Sequence, residues 1–255
     1  MNSNIRNLDL ELSLIIARIY KHLKIKSGIS IDIIGKNFSN NDMLFFPQLV
    51  LLASYGPKGI NKKTRTLAVV SQIMYLSTEI HNQIPEKTKV SNFKSKVQLP
   101  ILVGDLLYSR FYEILCIEDC IEFLDDYIEY ISQLNLNWIN YLNNEISLED
   151  ICASWYGELA GIVMELAAKT SGLNGYWLKV IKRYGYGIGN LFGASKLGLE
   201  VNAVNTYLDI VNEAINLMPP GELKDTFSVH AHNLSKNLFT DVIQDQFEFS
   251  VVAES

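Results

Sequence analysis

The sequence predicts an all-α protein, and three observations predict it. Apolar residues recur at three- and four-residue steps through most of the chain, prolines and glycines stand where such runs begin and end, and no stretch alternates apolar with polar residues as a half-buried strand would. From Leu67 the stepped positions are Val70, Ile73, Met74, Ser77, Ile80, His81 and Ile84, one face of a helix that Pro85 ends. Residues 86–96 carry Lys87, Lys89, Lys94 and Lys96 among small polar residues and read as a loop. Pro100 opens the next helix where its missing N–H costs nothing, and the apolar pattern runs to about Leu115. Another helix starts near Glu118 and carries Phe123, Tyr127, Ile128, Ile131 and Leu134. Ser147-Leu-Glu-Asp150 reads as an N-cap followed by acidic residues in the first turn. The helix beyond it places Gly157, Ala160, Gly161, Met164 and Ala168 on one stripe, small enough for a neighbouring helix to approach closely. The glycines from Gly185 to Gly198 fit the same use, because no strand precedes them and no lysine-serine pair closes a phosphate loop. No repeat, low-complexity linker or composition break divides the chain, so residues 1–255 are expected to form one helical domain.

Bulk chemistry narrows the function. Hydrophobic residues make up 48% of 255, enough for a substantial core. The net charge of −6 argues against a nucleic-acid partner, which needs a basic face for the phosphates. Three cysteines, Cys116, Cys120 and Cys152, cannot pair completely and point to a reducing cytoplasm. Cys116 and Cys120 lack a second Cys/His pair, so buried thiols are the reading rather than zinc. The first residues, Met-Asn-Ser-Asn-Ile-Arg-Asn, show no basic-then-apolar leader, and no apolar run is expected to cross a bilayer. His22, His81, His230 and His232 form no ligand set; His81 reads as a hydrogen-bonded core residue. Asp125, Asp126 and Glu129 imitate a metal motif but read as a solvated helix face.

Four landmarks in order carry a resemblance. Gln98-Leu-Pro-Ile-Leu-Val-Gly104-Asp105-Leu-Leu-Tyr-Ser-Arg-Phe111 is similar to the segment after the active-site loop of trans-polyprenyl diphosphate synthases. Upstream, where that family carries its first aspartate-rich motif, this chain has His81-Asn82-Gln83-Ile84-Pro85-Glu86. Tyr184-Gly185-Tyr-Gly-Ile188-Gly189-Asn-Leu-Phe192 resembles the segment before the second such motif, whose aspartate positions here hold Lys196, Leu197 and Glu200. Phe46-Pro47-Gln-Leu49 resembles the family's glycine-lysine-arginine-x-arginine-proline signature, with Met43, Leu44 and Phe46 at the basic positions.

The resemblance implies a single-domain isoprenoid-synthase-like bundle, and the departures imply that it does no chemistry alone. Ionising an allylic diphosphate needs magnesium bridged between facing carboxylates, and magnesium wants anionic oxygen ligands. Asn82 and Gln83 bring no charge, Lys196 repels a cation, and Glu86 and Glu200 stand as lone carboxylates. No catalytic residue, metal ligand or cofactor is therefore expected in this chain, and magnesium only in a catalytic partner. The resemblance looks closest to the small, non-catalytic component of two-subunit heptaprenyl or hexaprenyl diphosphate synthases, which serve the menaquinone side chain. The implied partner is a catalytic polyprenyl synthase subunit in a hetero-oligomer, with a long prenyl chain as a further ligand. Family subunits pair through the two helices after the glycine-aspartate landmark, here about Pro100–Cys116 and Glu118–Tyr141, with Leu106, Leu107, Phe111, Tyr112 and Leu115 expected at the interface. A divergent class I terpene or prenyl enzyme, a prenyl-lipid binding protein and a structural homodimer are the alternatives.

Overall fold

A computed structural model describes residues 2–24, 38–82 and 97–239, with side chains from residue 8 onward. Every regular element among the described residues is helical, which is the all-α class the periodicity predicts. The chain clusters into two compact units, residues 1–54 with 58–124, and residues 55–57 with 125–255.

The first unit is built on α1 (Asn2–Leu23), α2 (Asn40–Ala53), α3 (Lys62–Asn82) and α4 (Leu99–Ile117). The α3 helix is buried on nearly every side, from Thr64 through Ile80, rather than along one face. Its polar residues meet the interior by bonding backbone carbonyls: Ser71 Oγ donates to Leu67 (2.7 Å), Thr78 Oγ1 to Met74 (3.0 Å) and Ser77 Oγ to Gly104 (2.8 Å). One flank of α3 packs against α2 and α1, another against α4. Pro100 sits in the first turn of α4, as its missing N–H suggests. On α1, Ile15, Ile19 and Leu23 point inward, and the buried Glu11 carboxylate accepts two 2.6 Å bonds from the Arg65 guanidinium. The α4 helix ends in a turn whose Asp119 has φ 55°, followed by a 3-10 turn at Ile121–Phe123.

The second unit holds α5 (Leu124–Leu142), α6 (Leu148–Cys152), a π-turn (Ala153–Gly157), α7 (Glu158–Thr170), α8 (Tyr176–Leu197), α9 (Val201–Asn216) and α10 (Glu222–Leu238). Ser147 caps α6 through a complete capping box with Asp150. The stripe of small residues does what its size permits. Cβ atoms at Gly185 and Gly189 would lie 2.7 Å from the Ala160 carbonyl and 2.2 Å from the Tyr156 carbonyl, so only glycines let α8 approach this closely. Gly198, with φ 66°, ends α8 in the left-handed conformation.

One expectation is corrected. Leu148–Thr170 forms a continuous 23-residue helical run long and apolar enough to span a bilayer by composition. Its most apolar window is 78% buried inside the protein, which is how a core helix meets the same criterion.

Candidate functional site

The C-terminal end of α3 is the first place to look for charge. His81 lies over Gly104 on α4, where a Cβ would come within 2.1 Å of its Nε2. The half-buried imidazole also sits 5.4 Å from the Tyr108 ring and 3.3 Å from the Asp105 carboxylate. Asp105 is therefore an exposed mid-helix partner of His81. Asn82 is the last residue of α3 and is exposed. Gln83 and Glu86 lie outside the described residues.

The C-terminal end of α8 carries the second set. Lys196 is exposed, with its ammonium 5.9 Å from the centre of the Phe192 ring. Leu197 is half-buried, and Glu200 is exposed at the N-cap of α9, where its side chain makes no capping bond. A magnesium-bound diphosphate needs carboxylate ligands wherever it is held. An amide at the end of α3 and an ammonium beside a leucine at the end of α8 do not fit it. Among the described residues, no three His, Cys, Asp or Glu side chains converge as a metal site.

The α2 positions compared with the basic signature are apolar. In α2, Met43 and Phe46 are buried and Leu44 half-buried. Asp42, 5% exposed, closes a capping box with Ser39, and its Oδ1 accepts from the Tyr75 hydroxyl at 3.4 Å. Gln72 Nε2 donates to the Asp42 carbonyl at 2.9 Å. Phe46 packs on Tyr75 with ring centres 5.2 Å apart, and Phe45 on Phe46 at 5.1 Å. A buried carboxyl beside Tyr75 offers a diphosphate no positive charge, where arginine and lysine would clamp one.

The second unit has its own cleft, of about 520 Å³, lined by Asp126, Glu129, Asp150, Glu158 and Lys182 with Tyr130 and Tyr186 among its walls. Burial raises the Asp126 carboxyl above its ordinary value, with Glu165 and Asp125 adding repulsion against the pull of Lys169 and Lys182. Asp125, Asp126 and Glu129 are thus a solvated helix face, as their pattern suggests, and two of them also wall a cleft. The cleft was not foreseen. The i, i+3, i+7, i+11 spacing of Asp126, Glu129, Gln133 and Asn137 was the available signal.

Of the five residues expected at an interface, Leu107, Phe111 and Leu115 are buried in the core of the first unit, at 0–1% exposure. A partner cannot reach them. Leu106 is half-buried and Tyr112 exposed; Leu102 and Ile117 present more apolar surface than either.

No family model matches the chain, and no curated protein matches it by sequence. Solved structures do match. The geranylgeranyl pyrophosphate synthase of Corynebacterium glutamicum, in complex with calcium and isoprenyl diphosphate, superposes with TM-score 0.76 at 14% identity over 93% of this chain and 98% of that one. The heptaprenyl diphosphate synthase of Staphylococcus aureus gives 0.58 at 16% identity over 91% and 92%. A deletion mutant of the heterotetrameric geranyl pyrophosphate synthase of mint gives 0.64 at 14% identity over 92% and 99%. The chain has the all-helical isoprenoid-synthase fold. Its structural neighbours are trans-prenyl diphosphate synthases.

Proposed function

We propose that this chain is the non-catalytic subunit of a two-component polyprenyl diphosphate synthase, acting in the cytoplasm on chain elongation for a menaquinone-type side chain. The observation that supports the reading is a synthase fold in a chain whose residues, at the positions the resemblance aligns with the charged motifs, lack those charges. By the sequence resemblance, Asn82 and Lys196 align with metal-binding carboxylates, and Asp42, which is buried, precedes the positions aligned with the diphosphate clamp. A heterotetrameric synthase among the structural neighbours gives the fold a precedent for mixed subunits. The catalytic partner supplies both aspartate motifs and the magnesium; this chain supplies surface and helps set product length, with the growing prenyl chain as a further contact. A divergent terpene or prenyl enzyme, or a prenyl-lipid carrier, would keep the same fold, but the first needs carboxylate pairs absent at both helix ends.

Co-expression with a synthase that carries both aspartate motifs tests the reading. With farnesyl diphosphate, isopentenyl diphosphate and magnesium, the pair is expected to make long-chain products and each chain alone little or none. Stimulation absent for every such synthase encoded beside this gene sinks the proposal.

A further inference from the structure

The α1 helix is apolar on two opposite sides. Ile15, Ile19 and Leu23 face the core at 0–1% exposure. Leu10, Leu14 and Ala17 stand on the other side, Leu10 57% and Leu14 51% exposed and Ala17 exposed as well. Leu10, Leu14, Ala17 and Lys21 follow one another at steps of four, three and four residues, so they form one stripe with no polar residue between the apolar members. Ser13 and Tyr20 border it. The Ser13 hydroxyl is already given to the Asp9 carbonyl at 2.8 Å, and Tyr20 is 42% exposed.

The charges along the helix are sorted. Glu11 accepts from Arg65, and Arg18 lies 3.0 Å from Glu118, which also holds Lys62 at 3.1 Å. Those groups are spent within the unit. Lys21 closes the C-terminal end of the outer stripe and Lys24 stands just past the helix, both exposed, while the exposed Asp9 lies at the far end. The stripe is therefore apolar along its length and basic where it ends.

Size decides what such a stripe can hold. From Leu10 to Ala17 it runs only about 10 Å along the axis, and a stable protein interface buries about 800 Å² a side. Two leucines and an alanine fall well short of that. A bilayer surface asks for less: apolar side chains enter the boundary below the headgroups, and each nearby lysine adds attraction to anionic lipid. A tyrosine at the edge suits the same depth, with an apolar ring and a wet hydroxyl.

We infer that the outer face of α1 rests on an anionic lipid surface, with Leu10, Leu14 and Ala17 entering the headgroup boundary and Lys21 and Lys24 meeting the phosphates. So short a stripe anchors only with the help of charge, and the contact is reversible. The inference goes beyond the subunit reading and does not rest on it.

Co-sedimentation of the full chain with vesicles tests it, one set of phosphatidylcholine alone and one of phosphatidylcholine and phosphatidylglycerol in equal parts. Binding is expected to be about tenfold or more tighter on the anionic set at low salt, with the preference shrinking as salt screens it. Leu14→Ser, with its fold checked by circular dichroism, is expected to weaken binding about tenfold. Leu102→Ser, at a more exposed leucine on α4, is expected to change nothing. Lys21→Gln with Lys24→Gln is expected to bring anionic vesicles down to the level of phosphatidylcholine alone. Equal binding to the two sets overturns the inference, and so does equal loss in Leu14→Ser and Leu102→Ser, which is general adhesion. A dimer in sedimentation velocity that Leu14→Ser dissolves makes a second copy the occupant and overturns it too. Vesicle binding by a chain that stimulates no synthase leaves this face standing and removes the subunit reading. Stimulation by a chain that ignores both vesicle sets does the reverse.

Discussion

A methyl group at Gly189 would sit 2.2 Å from the Tyr156 carbonyl oxygen and 2.6 Å from the Ala160 Cβ, whereas one at Gly104 would meet the His81 ring first. A backbone carbonyl cannot move aside, but an imidazole can rotate toward solvent. Gly189→Ala is therefore expected to cost about 1–3 kcal/mol from overpacking, despite gaining about 1 kcal/mol of helix propensity. Gly104→Ala is expected to cost clearly less; urea denaturation of both variants makes the comparison. His230 gives a pH dependence. Its Nδ1 lies 2.8 Å from the Tyr184 hydroxyl, which donates to the Phe227 carbonyl at 3.0 Å, so Nδ1 carries the proton and donates. Burial pushes the His230 pKa down to about 4. A folded pKa below the unfolded value means that the unfolded chain takes up the proton first. Stability is thus full above about pH 6.5, near the unfolded pKa, and falls progressively until about pH 4. His22, also lowered by burial first, adds to the same slope. Melting temperatures from pH 7 to 5 are expected to fall less steeply in His230→Gln; an unchanged slope removes His230 as the cause.

At the scale of the element, α4 shows how far a helical pattern can be read. Its apolar residues surround much of the helix, which suggested an interface, but α3 is itself buried all round and α4 covers one of its flanks. The burial of Leu107, Phe111 and Leu115 is spent inside the unit. Phe111→Ala is accordingly expected to cost about 3–5 kcal/mol, and Tyr112→Ser, at an exposed position, less than about 1 kcal/mol. Thermal melts decide between these roles: a mild Phe111→Ala would return that residue to the surface. The ion pair of Glu11 with Arg65 fastens α1 to α3 in the same unit. Arg65→Ala leaves a buried carboxylate alone and is expected to cost about 1–3 kcal/mol, less than a fully buried pair because the arginine is partly exposed.

At the scale of the molecule, the prediction concerns what cannot be restored by a few changes. Aspartates placed at 82, 83, 196 and 197 would restore the carboxylates of the motifs the resemblance aligns there, yet Met43, Leu44 and Phe46 still offer no cation, and Asp42 remains as a buried carboxyl. The fourfold variant is expected to bind magnesium and diphosphate more tightly than wild type in calorimetry while showing little prenyl transfer. Efficient turnover by that variant alone would mean that the α2 positions do not matter for the second diphosphate.

The sequence by itself determined the helical class, the Ser147 cap, the place of Pro100 and the close packing through the glycine stripe, because these are local rules of backbone geometry and side-chain size. It also supplied the residue identities at the ends of α3 and α8, an amide at Asn82 and an ammonium at Lys196, because identity needs no fold. Tertiary structure alone decided which apolar faces are spent within the chain. An apolar stripe reads the same against a neighbouring helix as against a partner, so Phe111 and Leu14 look alike until their neighbours are in place. Only the fold turned Asp42 from one carboxylate among many into a buried one, and gathered Asp126, Glu129, Asp150 and Glu158 around one cleft. Burial and convergence depend on residues far apart in the chain, and no local pattern records them.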